Sequence, residues 1–177
     1  MKKIFKQDTK TYNHLCRLDS NDGYLDSAIK NCNQAIKMNP KTPENYVYLA
    51  QSLSDKGESS LAGKNLIYAS KKFKKSEFVQ WATGQYYFKQ KNFGVAKQYF
   101  LLASKVDSRS FRSFLNLGEC YFELNEWENS YNSLKIACTL NESAIDKIRE
   151  YSGRLRISKE SEWSKKFSKL MYECKKN

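Results

Sequence analysis

The sequence predicts an all-α fold built from consecutive pairs of helices, and three observations support this prediction. The chain has 177 residues but only seven glycines and two prolines, so it offers few of the turns that an all-β domain requires. Apolar residues make up 40% of the chain and aromatic residues 14%, which is enough to bury a core. Matching residues also recur at intervals of 34 positions. The clearest matches are Gly84 with Gly118, Tyr87 with Tyr121, and Ala103 with Ala137.

The first helix of each repeat is predicted from an aromatic residue followed by a small residue four positions later. The aromatic position holds Tyr12, Tyr46, Gln80 and Phe114, and the small position holds Cys16, Ala50, Gly84 and Gly118. The third repeat departs from this pattern at Gln80. The neighbouring Trp81 therefore either takes the aromatic role or points into a groove.

The second helix of each repeat is predicted from small and large residues at i, i+4 and i+7, which share one helical face. The first small position holds Ala28, Ala62, Ala96 and Ser130; the large position holds Cys32, Leu66, Phe100 and Leu134; the second small position holds Ala35, Ala69, Ala103 and Ala137. Gly23 and Gly57 mark the turn between the two helices. Lys91 and Asn125 replace this glycine later in the chain, and lysine tolerates a left-handed turn less readily than asparagine.

Two segments, GYLDSAIKNCNQAIKMNP and residues 114–141, resemble the tetratricopeptide repeat. The resemblance covers four contiguous repeats, at 9–42, 43–76, 77–110 and 111–144, after a leader at residues 1–8. It implies an α-solenoid, a right-handed superhelix of helix–turn–helix units.

Residues 145–177 keep helical spacing while the repeat pattern fades, so we expect a degenerate fifth repeat that serves as a pair of capping helices. Its apolar stripe consists of Trp163, Phe167, Leu170, Met171 and Cys174. A stack of repeats requires an end element with a charged outer side. The alternative is that this stripe contacts a partner or a second copy of the chain.

The resemblance also implies a concave groove, lined by the first helices, that receives an extended peptide or amphipathic helix of a partner protein. By register its lining would be Arg17, Tyr48, Gln51, Phe78, Trp81, Gln85, Phe88, Leu115, Asn116, Glu119 and Phe122. We expect Trp81 to be the central anchor, and Gln51, Gln85 and Asn116 to bind the backbone of the partner. The alternative for Phe88 and Phe122 is packing between helices.

The net charge of +12 is concentrated in part in one basic surface, formed by Lys71, Lys72, Lys74 and Lys75. These lysines either are solvated or meet phosphate, an acidic protein or an anionic membrane. Lysine greatly outnumbers arginine, which does not favour specific nucleic-acid recognition. The fourth repeat is acidic, and we expect Glu123, Glu126 and Glu128 to be partly neutralised by the basic tail.

No pattern predicts catalysis, a metal site or a cofactor. His14 is the only histidine, and no phosphate-binding glycine motif is present. The five cysteines are odd in number and lack C-x-x-C spacing, so we expect reduced thiols and a cytoplasmic protein. We also expect no secretion signal and no membrane span, because no apolar run is long enough.

The sequence therefore predicts a non-enzymatic scaffold or adaptor that binds a protein segment in its groove. In size and groove character it is similar to secretion chaperones that hold apolar segments. Two alternatives stay open: a basic accessory subunit of a nucleic-acid- or membrane-associated assembly, and a structural protein that self-associates through its C-terminal helix.

Overall fold

A computed structural model describes residues 8–174 of the chain. Within this range the chain forms ten α-helices and no strand, which confirms the predicted all-α solenoid class. The helices are α1 (Thr9–Asp22), α2 (Leu25–Met38), α3 (Pro43–Asp55), α4 (Ser59–Lys72), α5 (Glu77–Lys89), α6 (Phe93–Val106), α7 (Phe111–Glu123), α8 (Trp127–Leu140), α9 (Ala144–Ile157) and α10 (Ser161–Cys174). All of the predicted leader except Asp8 lies outside the described residues.

The repeated small residues lie where the two helices of a repeat touch. Ala28, Ala62, Ala96 and Ser130 are all fully buried, as are Ala35, Ala69, Ala103 and Ala137. Ser130 adds a polar contact to this packing, because its hydroxyl donates a 2.8 Å hydrogen bond to the carbonyl of Gly118. The second helices therefore use their small positions as the sequence predicts.

The turns within the helix pairs use one left-handed residue each. Gly23 and Gly57 have φ angles of 79° and 92°, and Lys91 and Asn125 adopt 58° and 60° at the matching positions. Lys159 does the same between α9 and α10, with φ of 66°. Non-glycine residues rarely adopt this conformation. The turns at Lys91, Asn125 and Lys159 nevertheless have the left-handed geometry of the glycine turns.

The N-terminal half, residues 8–83, contains α1 to α4 and the first part of α5. Gln80 is 2% exposed there and takes the position that is aromatic in other repeats. Its amide Nε2 donates hydrogen bonds to the carbonyls of Ser70, at 3.1 Å, and Phe73, at 3.3 Å. Gln80 itself thus fills the space between the helices, and Trp81 is left half-buried beside it.

The C-terminal half, residues 84–174, ends in the pair α9 and α10, whose apolar residues are packed within the chain. Phe167 and Leu170 are at most 1% exposed, and the ring of Tyr151 stacks on Phe122 at 3.7 Å. Trp163 packs edge-on to Trp127, with ring centroids 6.5 Å apart. Within the predicted C-terminal stripe, Phe167, Leu170 and Cys174 are therefore buried in this half, and Trp163 and Met171 are half-buried against it.

The cysteines differ from the expectation of five reduced thiols. Cys16 pairs with Cys32 across α1 and α2, and Cys138 pairs with Cys174 across α8 and α10. The Cα separations of 4.6 Å and 5.8 Å lie in the range that disulfides require. The cause is helix packing, because Cys16 and Cys32 face each other between α1 and α2, and Cys138 and Cys174 face each other between α8 and α10. Cys120 is a buried free thiol.

Candidate protein-binding surface

Three aromatic side chains form a continuous strip on the first helices of the N-terminal half, which we call the aromatic platform. The ring centroids of Tyr48 and Phe78 are 5.9 Å apart, and Phe78 stacks on Trp81 at 6.2 Å with an interplanar angle of 12°. All three side chains are half-buried. The platform exists because Gln80 occupies the interior position, which places Trp81 one residue further around α5.

An open cleft of about 380 Å³, lined mostly by polar residue types, shares Tyr48 with the platform. We call it the basic cleft; it is lined by Lys10, Asn13, His14, Arg17, Thr42, Glu44, Asn45 and Tyr48. Asn45 is 1% exposed, and its Nδ2 donates a 2.8 Å hydrogen bond to Asn13 Oδ1, which joins α3 to α1. The sequence predicted Arg17 and Tyr48 here but missed Asn45, whose partner lies 32 residues earlier.

The cations of the basic cleft face solvent. Arg17 Nη2 lies 3.5 Å from His14 Nδ1, and since arginine can only donate, the histidine nitrogen is the acceptor. Lys10 and Arg17 are exposed, and among residues 8–174 neither has a carboxylate within ion-pair distance. Glu44 is the only acidic residue in the lining. The cleft thus has a positive balance of charge.

The predicted groove residues of the C-terminal half are already engaged within the chain. Gln85 Nε2 donates to Asn116 Oδ1 at 2.7 Å, and Asn116 Nδ2 donates to Glu119 Oε2 at the same distance. Glu119, only 8% exposed, is then paired with Lys147 at 3.0 Å. Each of these polar groups therefore already makes a hydrogen bond or an ion pair within the chain. Gln51, in the N-terminal half, is exposed.

The predicted apolar residues of this half are largely packed between helices. Phe122 is 5% exposed, and Phe88 contacts Phe93 and Phe100 with centroids 5.2 Å and 6.5 Å apart. Leu115 packs against the buried C-terminal cluster. The structure therefore favours the alternative expectation for Phe88 and Phe122, namely a role in helix packing.

Acidic residues of the fourth repeat are paired as expected only in part. Glu123 forms a two-point contact with Arg154 of α9, at 2.6 Å and 3.2 Å. Glu126 pairs instead with Lys97 of the third repeat at 2.6 Å. This hydrogen bond from Lys97 holds the pKa of the Glu126 carboxyl below its ordinary value. Of the three predicted acids, Glu123 is thus neutralised by a tail arginine and Glu126 by a third-repeat lysine, while Glu128 is exposed.

The predicted basic surface is not uniform, because Lys72 folds back onto three aromatic rings. Its Nζ lies 5.2 Å from the ring centroid of Tyr46, 5.4 Å from that of Tyr68 and 5.3 Å from that of Phe73. It also donates a 3.1 Å hydrogen bond to the Tyr46 hydroxyl, which raises the pKa of Lys72. All four lysines are exposed, but only Lys72 among them lies over these rings.

Metal-binding groups and membrane-spanning helices are both missing from the part of the chain that the structure describes. Residues 8–174 contain no group of three His, Cys, Asp or Glu side chains arranged to hold a metal ion. None of the helices in this range has the length and apolar character of a membrane-spanning segment.

Comparisons with known proteins agree with the repeat architecture. Residues 9–42 match the family model of the tetratricopeptide repeat, and no curated protein matches the chain by sequence. Among solved structures, PilF of Pseudomonas aeruginosa is 19% identical, with coverage of 94% of this chain and 76% of that chain and a TM-score of 0.77. MamA of Desulfovibrio magneticus, from residue 41 to the end, is 16% identical, with 93% coverage of both chains and a TM-score of 0.73.

A third structure, YrrB, is described as a tetratricopeptide protein with an unusual peptide-binding site. It is 12% identical, with coverage of 98% of this chain and 89% of that chain and a TM-score of 0.73. At these identities the likeness shows the fold. Together with the match at residues 9–42, it confirms the tetratricopeptide resemblance. Proteins built from such repeats generally mediate protein–protein contacts.

Proposed function

We propose that this chain, a tetratricopeptide repeat protein by its fold and its first repeat, is a non-enzymatic scaffold or adaptor. In this proposal the face formed by α1, α3 and residues 77–83 of α5 binds an apolar or amphipathic segment of another protein. The aromatic platform is the observation that supports it most strongly. A cytoplasmic location is part of the same proposal, although the two disulfides remove the argument from reduced thiols.

The platform has the composition of a binding hot spot. Binding energy at protein interfaces is concentrated in a few aromatic and arginine residues, with polar residues at the rim. Tyr48, Phe78 and Trp81 supply three rings in series, and Arg17 lies in the cleft that shares Tyr48. Each ring is already half-buried, so a partner orders little additional side-chain freedom when it binds.

The C-terminal half supports this choice of surface by contrast. Its polar residues on α5, α7 and α9 form hydrogen bonds and ion pairs with one another. A partner would have to break these contacts before making its own. We therefore place the primary binding surface in the N-terminal half, and narrow the predicted site to Arg17, Tyr48, Gln51, Phe78 and Trp81.

Selection of peptides from a random display library tests this proposal and does not require an identified partner. The full chain is used as bait, and each selected peptide is then offered to Trp81→Ala and to a Lys71→Ala, Lys74→Ala double variant. We expect the tryptophan variant to lose the peptides and the lysine variant to keep them. The opposite pattern would refute the proposed surface and favour the basic surface instead.

A further inference from the structure

We infer that the bound segment is acidic at one end and aromatic or aliphatic at the other. Its carboxylates contact Lys10 and Arg17 in the basic cleft, and its apolar side chains contact the aromatic platform. This inference rests on the proposed function and adds the chemistry and direction of the partner. The evidence is the continuity of the two surfaces and the charge of the cleft.

Continuity comes from Tyr48, which lines the cleft on one side and contacts Phe78 on the other. A segment that lies on the platform therefore reaches the cleft without leaving the protein surface. Packed helices are about 8–10 Å apart, so the path from α1 over α3 to α5 is roughly 16–20 Å. About six extended residues cover this distance, since each adds about 3.3 Å.

The charge of the cleft determines which end of the segment lies there. Lys10 and Arg17 are exposed and, within residues 8–174, have no ion-pair partner, whereas Glu44 is the only acid in the lining. In the C-terminal half, by contrast, Lys147 and Arg154 on α9 are both paired with carboxylates. An acidic segment supplies the partners that the N-terminal cations lack, and a basic segment is repelled.

The arrangement of polar groups favours carboxylates. The hydrogen bond between Asn45 and Asn13 fixes the floor of the cleft and uses the Asn13 oxygen as acceptor. The contact with His14, three residues earlier on α1, uses one Nη of Arg17 and leaves the other N–H groups of the guanidinium for a ligand. A guanidinium presents paired donors that match the two oxygens of a carboxylate.

The test uses the library-selected peptides. Their amino-acid composition is determined, and their affinity is measured for a variant in which the charges of the cleft are reversed. We expect Asp and Glu to be enriched at one end of the selected peptides. The Lys10→Glu, Arg17→Glu variant should bind them roughly tenfold more weakly at about 0.15 M salt. The matched control is Lys30→Glu, Lys37→Glu on the outer helix α2, which changes the net charge equally and should alter affinity less than about twofold.

The outcomes separate the two claims. Suppose that Trp81→Ala abolishes binding, but the Lys10→Glu, Arg17→Glu variant keeps its affinity or the Lys30→Glu, Lys37→Glu control loses as much affinity. In either case the inference is wrong and the proposed function stands. If no peptide is selected, or Trp81→Ala has no effect on those that are, both are wrong. A single-stranded oligonucleotide that binds the cleft more tightly than every peptide would also overturn the inference.

Discussion

Replacing Gly118 by alanine tests whether close contact between α7 and α8 decides stability in the fourth repeat. An alanine Cβ at this position would lie 2.7 Å from Leu134 Cγ and 2.9 Å from Leu134 Cδ2. Ordinary carbon contacts are about 3.5–4.0 Å, so the helices would have to separate by roughly 1 Å. Leu134 is fully buried and its Cγ is close to the backbone, so this side chain cannot swing aside.

The prediction compares how alanine changes the free energy of unfolding at two glycine positions. Overpacking a core costs about 1–3 kcal/mol, while alanine in a helix gains about 0.5–1 kcal/mol over glycine. Gly153 in α9 is the matched control, because a Cβ there would meet nothing within 4 Å. Gly153→Ala should therefore raise the free energy of unfolding, and Gly118→Ala should fall below it by about 1–3 kcal/mol.

Urea unfolding followed by far-ultraviolet circular dichroism measures both variants. Adding Leu134→Ala to Gly118→Ala removes the clashing atoms, so the double variant should lose less stability than the sum of the single variants. If Gly118→Ala stabilises the chain as much as Gly153→Ala, close contact at Gly118 does not limit the packing of α7 against α8.

Three more predictions concern single contacts. Lys91→Gly should raise the free energy of unfolding by about 0.5–1 kcal/mol, because it relieves a left-handed φ of 58°; an unchanged urea midpoint would contradict this. A reductant should lower the melting temperature through the Cys138–Cys174 bond, which joins residues 36 apart and is worth about 3–4 kcal/mol by chain entropy; equal melting with and without reductant would argue against this bond. Lys97 lowers the folded-state pKa of Glu126. The ion pair therefore contributes to stability at pH values above the ordinary pKa of 4.5, and this contribution is lost as the pH falls through the folded-state pKa. Glu126→Gln should flatten this part of the acid-unfolding profile, and an unchanged profile would show that the ion pair does not contribute.

The helices, their pairing and their turns could be predicted because they depend on local spacing. Residues one repeat apart occupy equivalent environments, so Lys91 and Asn125 could be identified as turn residues despite the missing glycine. Gly118 could be placed at a close contact for the same reason.

The candidate site was less predictable because it depends on exceptions to the repeat. Gln80 fills an aromatic position by donating hydrogen bonds to two carbonyls, and Trp81 beside it is left half-buried. Gln85 and Asn116 occupy groove positions but bind each other across 31 residues, which periodicity does not reveal. The sequence assigns Lys72 to a basic surface, but its ammonium group lies over aromatic rings.

The most direct test of the central claim is the affinity of one library-selected peptide for Trp81→Ala, measured by isothermal titration calorimetry. Tyr24→Ala is the matched control, because Tyr24 is a 65% exposed aromatic residue at the start of α2, outside the platform. Loss of a central interface tryptophan commonly costs about 2 kcal/mol or more, so we expect roughly thirtyfold weaker binding for Trp81→Ala and none of this loss for Tyr24→Ala. Equal affinities of Trp81→Ala and the unmodified chain, with both folded, would contradict the proposed binding surface.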